Sequence, residues 1–460
     1  MRRAAAPALL VVALVPAACS HAPKVDVPNG PEVDVSNLRG AQAEATVTVD
    51  PSNPKILLAG SNSIKEGTMR AYSSVDGGRT WRGSVVYQPP SHSRLRCAAD
   101  PGVAIDRRGR QYFSFVSSAP CFRGPPHLYV TSRAGPSAHW GPPTLVAPLG
   151  GARADDKPWL TVDDSPDSPY RNRVYVVWSR IARTTRLTIL ASHSDDGGVH
   201  WSPPLTVNGT GDDVSFATVV MSRHGTVYVA WDDRSNFAVK IARSTDGGAH
   251  FGPEQVVATF AIVTIPHCGS GIPIPALRLN CVQANPEVSV DTSGGAYSGR
   301  VYVTYAATDF QGDQGVHVAA FDGALRPLFG STQETQSRAI AREPPSTYAD
   351  QFLPASAVDP ATGAMWVCWY DTAPDPNRKR AFYTCAFSTD GGRTFTKPAH
   401  AASVASDETG GGADSRGYGD YENVAAAGGR AHPIWTDSRR LATLEEEIYT
   451  TTLAQAGSIK

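Results

Sequence analysis

Acidic side chains stand just ahead of short β-branched runs along this chain, and they are the first residues equipped for chemistry. Glu44, Asp100, Asp156 beside Lys157, Asn285, Gln351 and Asp420 take corresponding places, with Asp213 close to the same place in a further copy. Brought round one axis, such carboxylates repel one another and lose solvent, which raises their pKa values and suits proton donation. Arg39, Arg96, Arg153 and Arg416 lie three to five residues before Glu44, Asp100, Asp156 and Asp420. Guanidinium forks bind carboxylates bidentately; the same arginines also suit plain pairing with the acids beside them at a solvated edge. "YGDYE" groups Tyr418, Asp420, Tyr421 and Glu422. In an extended strand Asp420 and Glu422 share one face and Tyr421 takes the other, so a tyrosine joins the acids only through loop geometry. Tyr348, beside Asp350, is another tyrosine of this kind. A second polar set follows the aromatic runs: Asp232, Asp233 and Arg234 in "WDDR", Asp371 in "WYD", Asp437 and Arg439 in "WTDSR", with Arg180 and Asp309 at comparable places. An Asp after a strand also caps turns, which is the plainer reading of each. A carboxylate ring offers oxygen ligands to Ca²⁺ without fixing which acids would serve; no other cofactor is expected. There is no metalloprotease helix motif and no phosphate loop, and His200 and His250 sit in turns rather than at ligand spacing.

The elements that must position these residues are strands. "RVYVVW", "TVYVAW", "RVYVTY" and "MWVCWY" are short, β-branched and aromatic, and bounded by turn residues. Helical periodicity is confined to a weak stretch, "LATLEEEIY". Seven inner strands align: "EATVTVD", "DPGVAID", "KPWLTVD", "SFATVVM", "NPEVSVD", "LPASAVD" and "DYENVAA". Seven second strands follow them in register. A phrase, Ser-x-Asp-Gly-Gly-x-Thr/His-aromatic, recurs at Ser74, Ser194, Ser244 and Ser388, with eroded copies at 131–140 and 319–329. The spacing corresponds to units of about 50–75 residues. Such units of four short strands, repeated radially, make an all-β seven-bladed propeller of antiparallel blades, with six blades as the alternative. The last unit supplies three strands, so a "VDV" near residue 25 or 33 is expected to add the fourth and close the ring. Within the phrase, Gly-Gly supplies positive φ for a bulged hairpin, the Asp accepts turn N–H groups, and the aromatic residue buries apolar area.

The phrase is the Asp-box, and with "NLRGAQAEATVTVDPSNP", "DDKPWLTVD", "WYDTAPDPNRKRAFYTCAFSTDGGRTF" and "GDYENVAAAGGRAHPIWTDSR" it makes most of residues 40–452 resemble the secreted bacterial sialidase-like (BNR/Asp-box repeat) proteins. The resemblance implies that Asp76, Asp196, Asp246 and Asp390 are structural, on the face opposite the catalytic mouth. It implies exo-sialidase-like glycoside hydrolysis of a glycan or glycoconjugate. There three arginines clamp the substrate carboxylate, a Tyr is the nucleophile, a Glu takes its proton and an Asp is the acid/base; Tyr is used because an anionic nucleophile would be repelled by that carboxylate. The catalytic candidates are then Asp100, Tyr418, Asp420, Tyr421 and Glu422. The substrate-binding candidates are Arg39, Glu44, Arg96, Arg153, Asp156, Lys157, Arg416, Asp437 and Arg439. The sequence departs from the family where an Arg-Ile-Pro type motif is usual, having "LRGAQAE", and "LLAGSNSIKEG" lacks the Asp of the next loop. The alternative is a non-catalytic propeller that binds glycan or protein at a surface.

Of 460 residues 18% are charged, the formal net charge is −1, and no long basic run occurs, which argues against a nucleic-acid partner. No apolar run approaches the length of a membrane span. Arg2 and Arg3, "APALLVVALV" and "PAAC" read as a signal segment over residues 1–22, with Cys19 as a lipoprotein acylation site; Pro16 departs from that pattern, and plain secretion is the alternative. Residues 23–43 form an N-terminal segment and 44–455 the propeller. An extracellular or cell-surface monomer, touching the membrane only through the lipid anchor, is the expectation. Six further cysteines fall as neighbours, Cys97 with Cys121, Cys268 with Cys281 and Cys368 with Cys385, so three local disulfides are the simplest of fifteen pairings.

Overall fold

The computed structural model describes residues 30–86, 97–121, 123–209, 213–259, 273–277, 281–308, 314–329, 337–340, 349–410 and 417–455. The signal segment and Cys19, with Arg96, Arg416, Cys268, Asp309 and Tyr348, lie outside them. The chain forms seven antiparallel sheets in sequence order round one axis, a seven-bladed β-propeller. The innermost strands are Gln42–Asp50, Cys97–Ile105, Ala154–Val162, Val214–Met221, Glu287–Val290, Gln351–Val358 and Asn423–Ala427. Each is followed by a second and a third strand running outward through the blade. In the last blade the outermost strand is Val33–Asp34, paired antiparallel with Glu447–Thr450 in the register Val33↔Thr450 and Asp34↔Tyr449. Val35 N–H adds a bond to Ile448 O (2.7 Å), and Asp34 pairs with Arg440 (2.8 Å).

Seven hydrophobic clusters fill the seven gaps between neighbouring blades. The aromatic second strands are buried on both faces, which is why they read as near-continuous apolar runs. Trp178, Trp231, Trp366, Trp369 and Trp435 are among the largest fully buried side chains. Cys97 bonds Cys121 and Cys368 bonds Cys385. Cys281 is also disulfide-bonded, while its expected partner Cys268 is outside the described residues.

The repeated hairpins occupy the end where inner strands finish. Asp76 Oδ1 accepts the N–H groups of Arg79 (3.0 Å) and Thr80 (2.9 Å), and its Oδ2 accepts the Thr80 hydroxyl (2.6 Å). Asp390 repeats this with Arg393 and Thr394. At Asp196 and Asp246 the His200 and His250 rings replace the threonine hydroxyl, at 2.6 and 2.7 Å. The backbone bond from His200, resisted by partial burial, holds Asp196 at about 2. Two hairpins are also seized by the preceding blade: Arg173 and Tyr175 donate to Gly247 O, and Arg300 to Gly391 O. These hairpins lie at the opposite end of the blades from the acidic strand starts.

Candidate functional site

The site begins with a backbone irregularity. In five inner strands the register to the second strand slips across two residues, at 43/46, 99/102, 156/159, 215/218 and 352/355. The first residue inside each slip has positive φ: Glu44 (58°), Asp100 (61°), Lys157 (50°), Phe216 (52°) and Leu353 (49°); Asn285 (43°) takes the same place in the fifth blade. A β-bulge re-aims a side chain, and here it sets one residue per blade at the entrance of the axis. The residue after it is Pro in four blades (Pro101, Pro158, Pro286, Pro354), which a bulge tolerates because no ladder N–H is needed there. By alignment Tyr421 is the seventh member.

This ring corrects the sequence reading. Its third-blade member is Lys157 rather than Asp156, its sixth is Leu353 rather than Gln351, and its seventh is Tyr421 rather than Asp420; the fourth is Phe216. The expected circle of acids is therefore an arc, Glu44 and Asp100, with Asp156 and Asp420 beside it. At its centre lies the Lys157 ammonium, 3.1 Å from Glu44, 2.9 Å from Asp100 and 2.6 Å from Asp420. Its three donors match three carboxylates. Asn62 ties the arc together, donating to Glu44 Oε2 (2.5 Å) and accepting from Asp100 N–H (3.1 Å). Glu44 and Asp100 are 2% and 3% exposed, whereas the Asp420 side chain keeps 26% of its surface open. The faces of Tyr421 and Phe216 lie 5.6 and 5.8 Å from Nζ, and Trp159 meets Tyr421 edge-on at 5.8 Å.

Four carboxylates round one ammonium do not all ionise at neutral pH. Burial, reinforced by the Asp100 and Asp420 charges and opposed by Lys157, pushes Glu44 up to about 8. Burial, then the Asp100 charge and a hydrogen bond shared with Asp100, push Asp156 up to about 7. Burial disfavours the Lys157 charge, but Asp100, Asp420, Glu44 and Asp156 outweigh it and hold the ammonium cationic well above its ordinary range. The cluster holds protons beside the half-buried carboxylate of Asp420, an arrangement suited to general acid–base work. Glu44, Asp100 and Asp420 point at the ammonium, and among the described residues no group of three or more His, Cys, Asp and Glu is arranged round a metal position. Behind the ring a cavity of about 30 Å³ is lined by Lys157, Trp159, Phe216, Asn285, Glu287 and Tyr421. Further along the axis lies a channel of about 450 Å³ walled by the inner strands.

The other expected residues lie elsewhere. Tyr418 is fully buried against Phe352 and Tyr370 and donates to Ser406 O (3.1 Å). Glu422 faces the gap between the sixth and seventh blades, accepting from Thr436 N–H (2.9 Å) and lying 2.8 Å from the Tyr370 hydroxyl. Neither opens on the mouth: Tyr418 is packed beneath the loop before the ring, and Glu422, 2% exposed, lies behind it on the wall of the small cavity. Tyr421, the residue that alternation set apart from the acids, is the tyrosine that joins them. Asp437 and Arg439 bond each other (2.9 and 2.6 Å), with Glu32 as a second partner of Arg439. Arg180 forks onto Asp155 (2.7 and 3.0 Å), Arg378 onto Asp350, and Arg234 pairs with Asp213. Arg39 and Arg153 are exposed, and Arg153 lies in a groove at the edge of the third blade. Among the described residues no three arginines converge on the axial cluster.

No protein-family model matches this chain, and no curated protein does. Solved structures match most of its length. A protein of unknown function from Dyadobacter fermentans aligns over 94% of this chain and 100% of its own, with TM-score 0.51 and 12% identity. A Hadza microbial sialidase aligns over 89% of this chain and 75% of its own, with TM-score 0.45 and 13% identity. The Trypanosoma rangeli sialidase, solved with the inhibitor DANA, aligns over 78% and 59%, with TM-score 0.48 and 13% identity. The likeness is one of fold. At such identities the roles of residues do not transfer, and chemistry has to be argued from the mouth itself.

Proposed function

We propose that this protein is an exported, glycan-directed propeller that cleaves glycosidic bonds with sialidase-like division of labour at the axial mouth. The observation that carries this reading is the Lys157-centred cluster, in which stored protons lie next to the open carboxylate of Asp420 and the ring of Tyr421. In this assignment Asp420 meets the substrate, and Asp156 with Asp100 supplies and recovers the proton at the leaving oxygen. Tyr421, whose hydroxyl lies 3.4 Å from Pro101 O, is the nucleophile, its proton passing to an ionised carboxylate of the cluster and not to Glu44, which already holds one at neutral pH. Lys157 keeps the carboxylates together and sets their proton count. Aromatic Trp159 and Phe216 flank the cluster. Export is supported by two disulfides, which persist in oxidising compartments.

Turnover is tested with a panel of fluorogenic glycosides that includes a sialoside, comparing the natural chain with Asp420→Asn and Tyr421→Phe. Release that both substitutions reduce by about a hundredfold or more supports acid–base and nucleophilic roles. No release above a heat-inactivated blank from any glycoside overturns hydrolysis. The second reading, a non-catalytic glycan-binding surface protein, then gains. It is favoured by Arg180, Arg378 and Arg439, which are already paired with carboxylates of their own blades.

A further inference from the structure

A groove of about 610 Å³ runs between the second and third blades at the end of the molecule that carries the acidic strand starts. Three loops build it: the turn after Gln111–Ser118, the connection into Ala154–Val162, and the turn after Val174–Ile181. Each contributes one arginine, Arg123, Arg153 and Arg183, over walls that include Pro125, Pro126 and Ile181. All three arginines are exposed. Among the described residues none of them is in an ion pair, in contrast to Arg180, Arg234, Arg378 and Arg439. Asp155, two residues past Arg153, is committed to Arg180 and to the Trp178 indole (2.8 Å).

The loops are stitched to one another rather than free. Asp155 N–H donates to Pro126 O (3.0 Å), and Arg153 N–H to Ile181 O (2.8 Å). Arg183 Nε donates to Gly151 O (3.1 Å), which fixes its stem and leaves its other donors outward. The Arg123 turn closes on Pro120 O through Arg123 and Gly124 N–H, at 3.0 and 2.8 Å. Gly124 is required there, since a Cβ would come within 2.2 Å of the Ala119 carbonyl oxygen. The Cys97–Cys121 disulfide ties the same turn to the strand that carries Asp100. Three unpaired guanidinium groups in a preformed concavity, of a size that takes small ligands, make an anion site.

We propose that this groove binds an anionic saccharide, holding the carboxylate of a uronate or the sulfate of a sulfated sugar in guanidinium forks. Guanidinium matches either group bidentately. Apolar walls suit a sugar face, and among the described residues the groove lining includes no aromatic side chain on which a nucleic-acid base would stack. The site is off the axis and distinct from the Lys157 cluster. It therefore anchors a charged part of the glycan and does not depend on turnover at the mouth.

Binding is measured by calorimetry on the full chain with trigalacturonate, a sulfated disaccharide, uncharged maltotriose and a short single-stranded DNA. Variants are Arg123→Ala, Arg153→Ala, Arg183→Ala, the triple variant, and Arg79→Ala on the opposite hairpin face. The proposal expects at least one charged saccharide to bind, each groove substitution to weaken it roughly five- to tenfold, and binding to fall with added salt. The triple variant is expected to lose binding while Arg79→Ala retains it. The tighter of the two charged saccharides identifies uronate or sulfate as the natural group. Maltotriose binding as well as the charged probes, equal loss in Arg79→Ala, or unchanged affinity in the triple variant overturns the site. DNA binding more tightly than either saccharide overturns the saccharide assignment in favour of nucleic acid. Retention of the natural melting temperature by the triple variant shows that any loss is not misfolding.

Discussion

Replacing Lys157 by Met tests whether the axial cluster is held by one ammonium. The natural side chain lies 2.6–3.1 Å from three carboxylates. At an effective dielectric of about 20, Coulomb's law assigns roughly 5–6 kcal/mol to each contact. Desolvation of the buried ions offsets most of this, and removing one partner from such a cluster costs about 3–5 kcal/mol. The loss must depend on pH. Burial and mutual repulsion already raise Glu44 to about 8 and Asp156 to about 7 with Lys157 present; without it both rise further above their unfolded values. A carboxyl whose folded pKa is raised favours the fold below its unfolded pKa and forfeits that advantage as pH rises through the folded value. Urea unfolding should therefore show Lys157→Met less stable by about 3–5 kcal/mol at pH 8. Near pH 5, where the acids take up protons instead, the loss should shrink to roughly 2 kcal/mol or less. An equal loss at both pH values, or one under about 1 kcal/mol at pH 8, would refute the counter-ion role.

Glu422→Gln removes a carboxyl that burial pushes up to about 8 while keeping an acceptor for Thr436 N–H. Thermal melts should show it within about 1 kcal/mol of the natural chain at pH 6 and comparatively more stable at pH 9, because the natural carboxyl loses stability as pH rises through 8 and glutamine does not titrate. A variant that falls in parallel with the natural chain between pH 6 and 9 contradicts the raised carboxyl. The double change Cys97→Ser with Cys121→Ser opens a loop with a sequence separation of 24. Chain entropy sets the expected loss at about 3–4 kcal/mol in denaturant titration, and dithiothreitol, which also opens Cys368–Cys385, should destabilise the natural chain by at least as much.

The blades were legible in the sequence because their signals are local. Alternation, paired second strands and Gly-Gly hairpins each act within a few residues, and the seven inner strands appear where their patterns lie. The mouth was less legible. Which residue faces the axis is decided by a positive φ at a bulge, and a bulge breaks the alternation from which facing is read. Counting acids selected Asp156 and Asp420, whereas the Pro after Asp100, Lys157, Asn285 and Leu353 marks the true register. Phe216 and Leu353 escaped notice because apolar residues carry no chemical flag. Arg180 and Arg378 were indistinguishable from free cations in the sequence, since their partners Asp155 and Asp350 lie 25 and 28 residues away.

The two-residue strand Val33–Asp34 also settles which way the chain enters the molecule. Gly30 lies against Thr452, whose hydroxyl reaches Gly77 O in a hairpin of the first blade (3.5 Å). From there the backbone climbs past Thr450 toward Glu447, away from the hairpin end. Gly30 thus lies on the underside of the disc, and the lysine-pinned opening is on the opposite face.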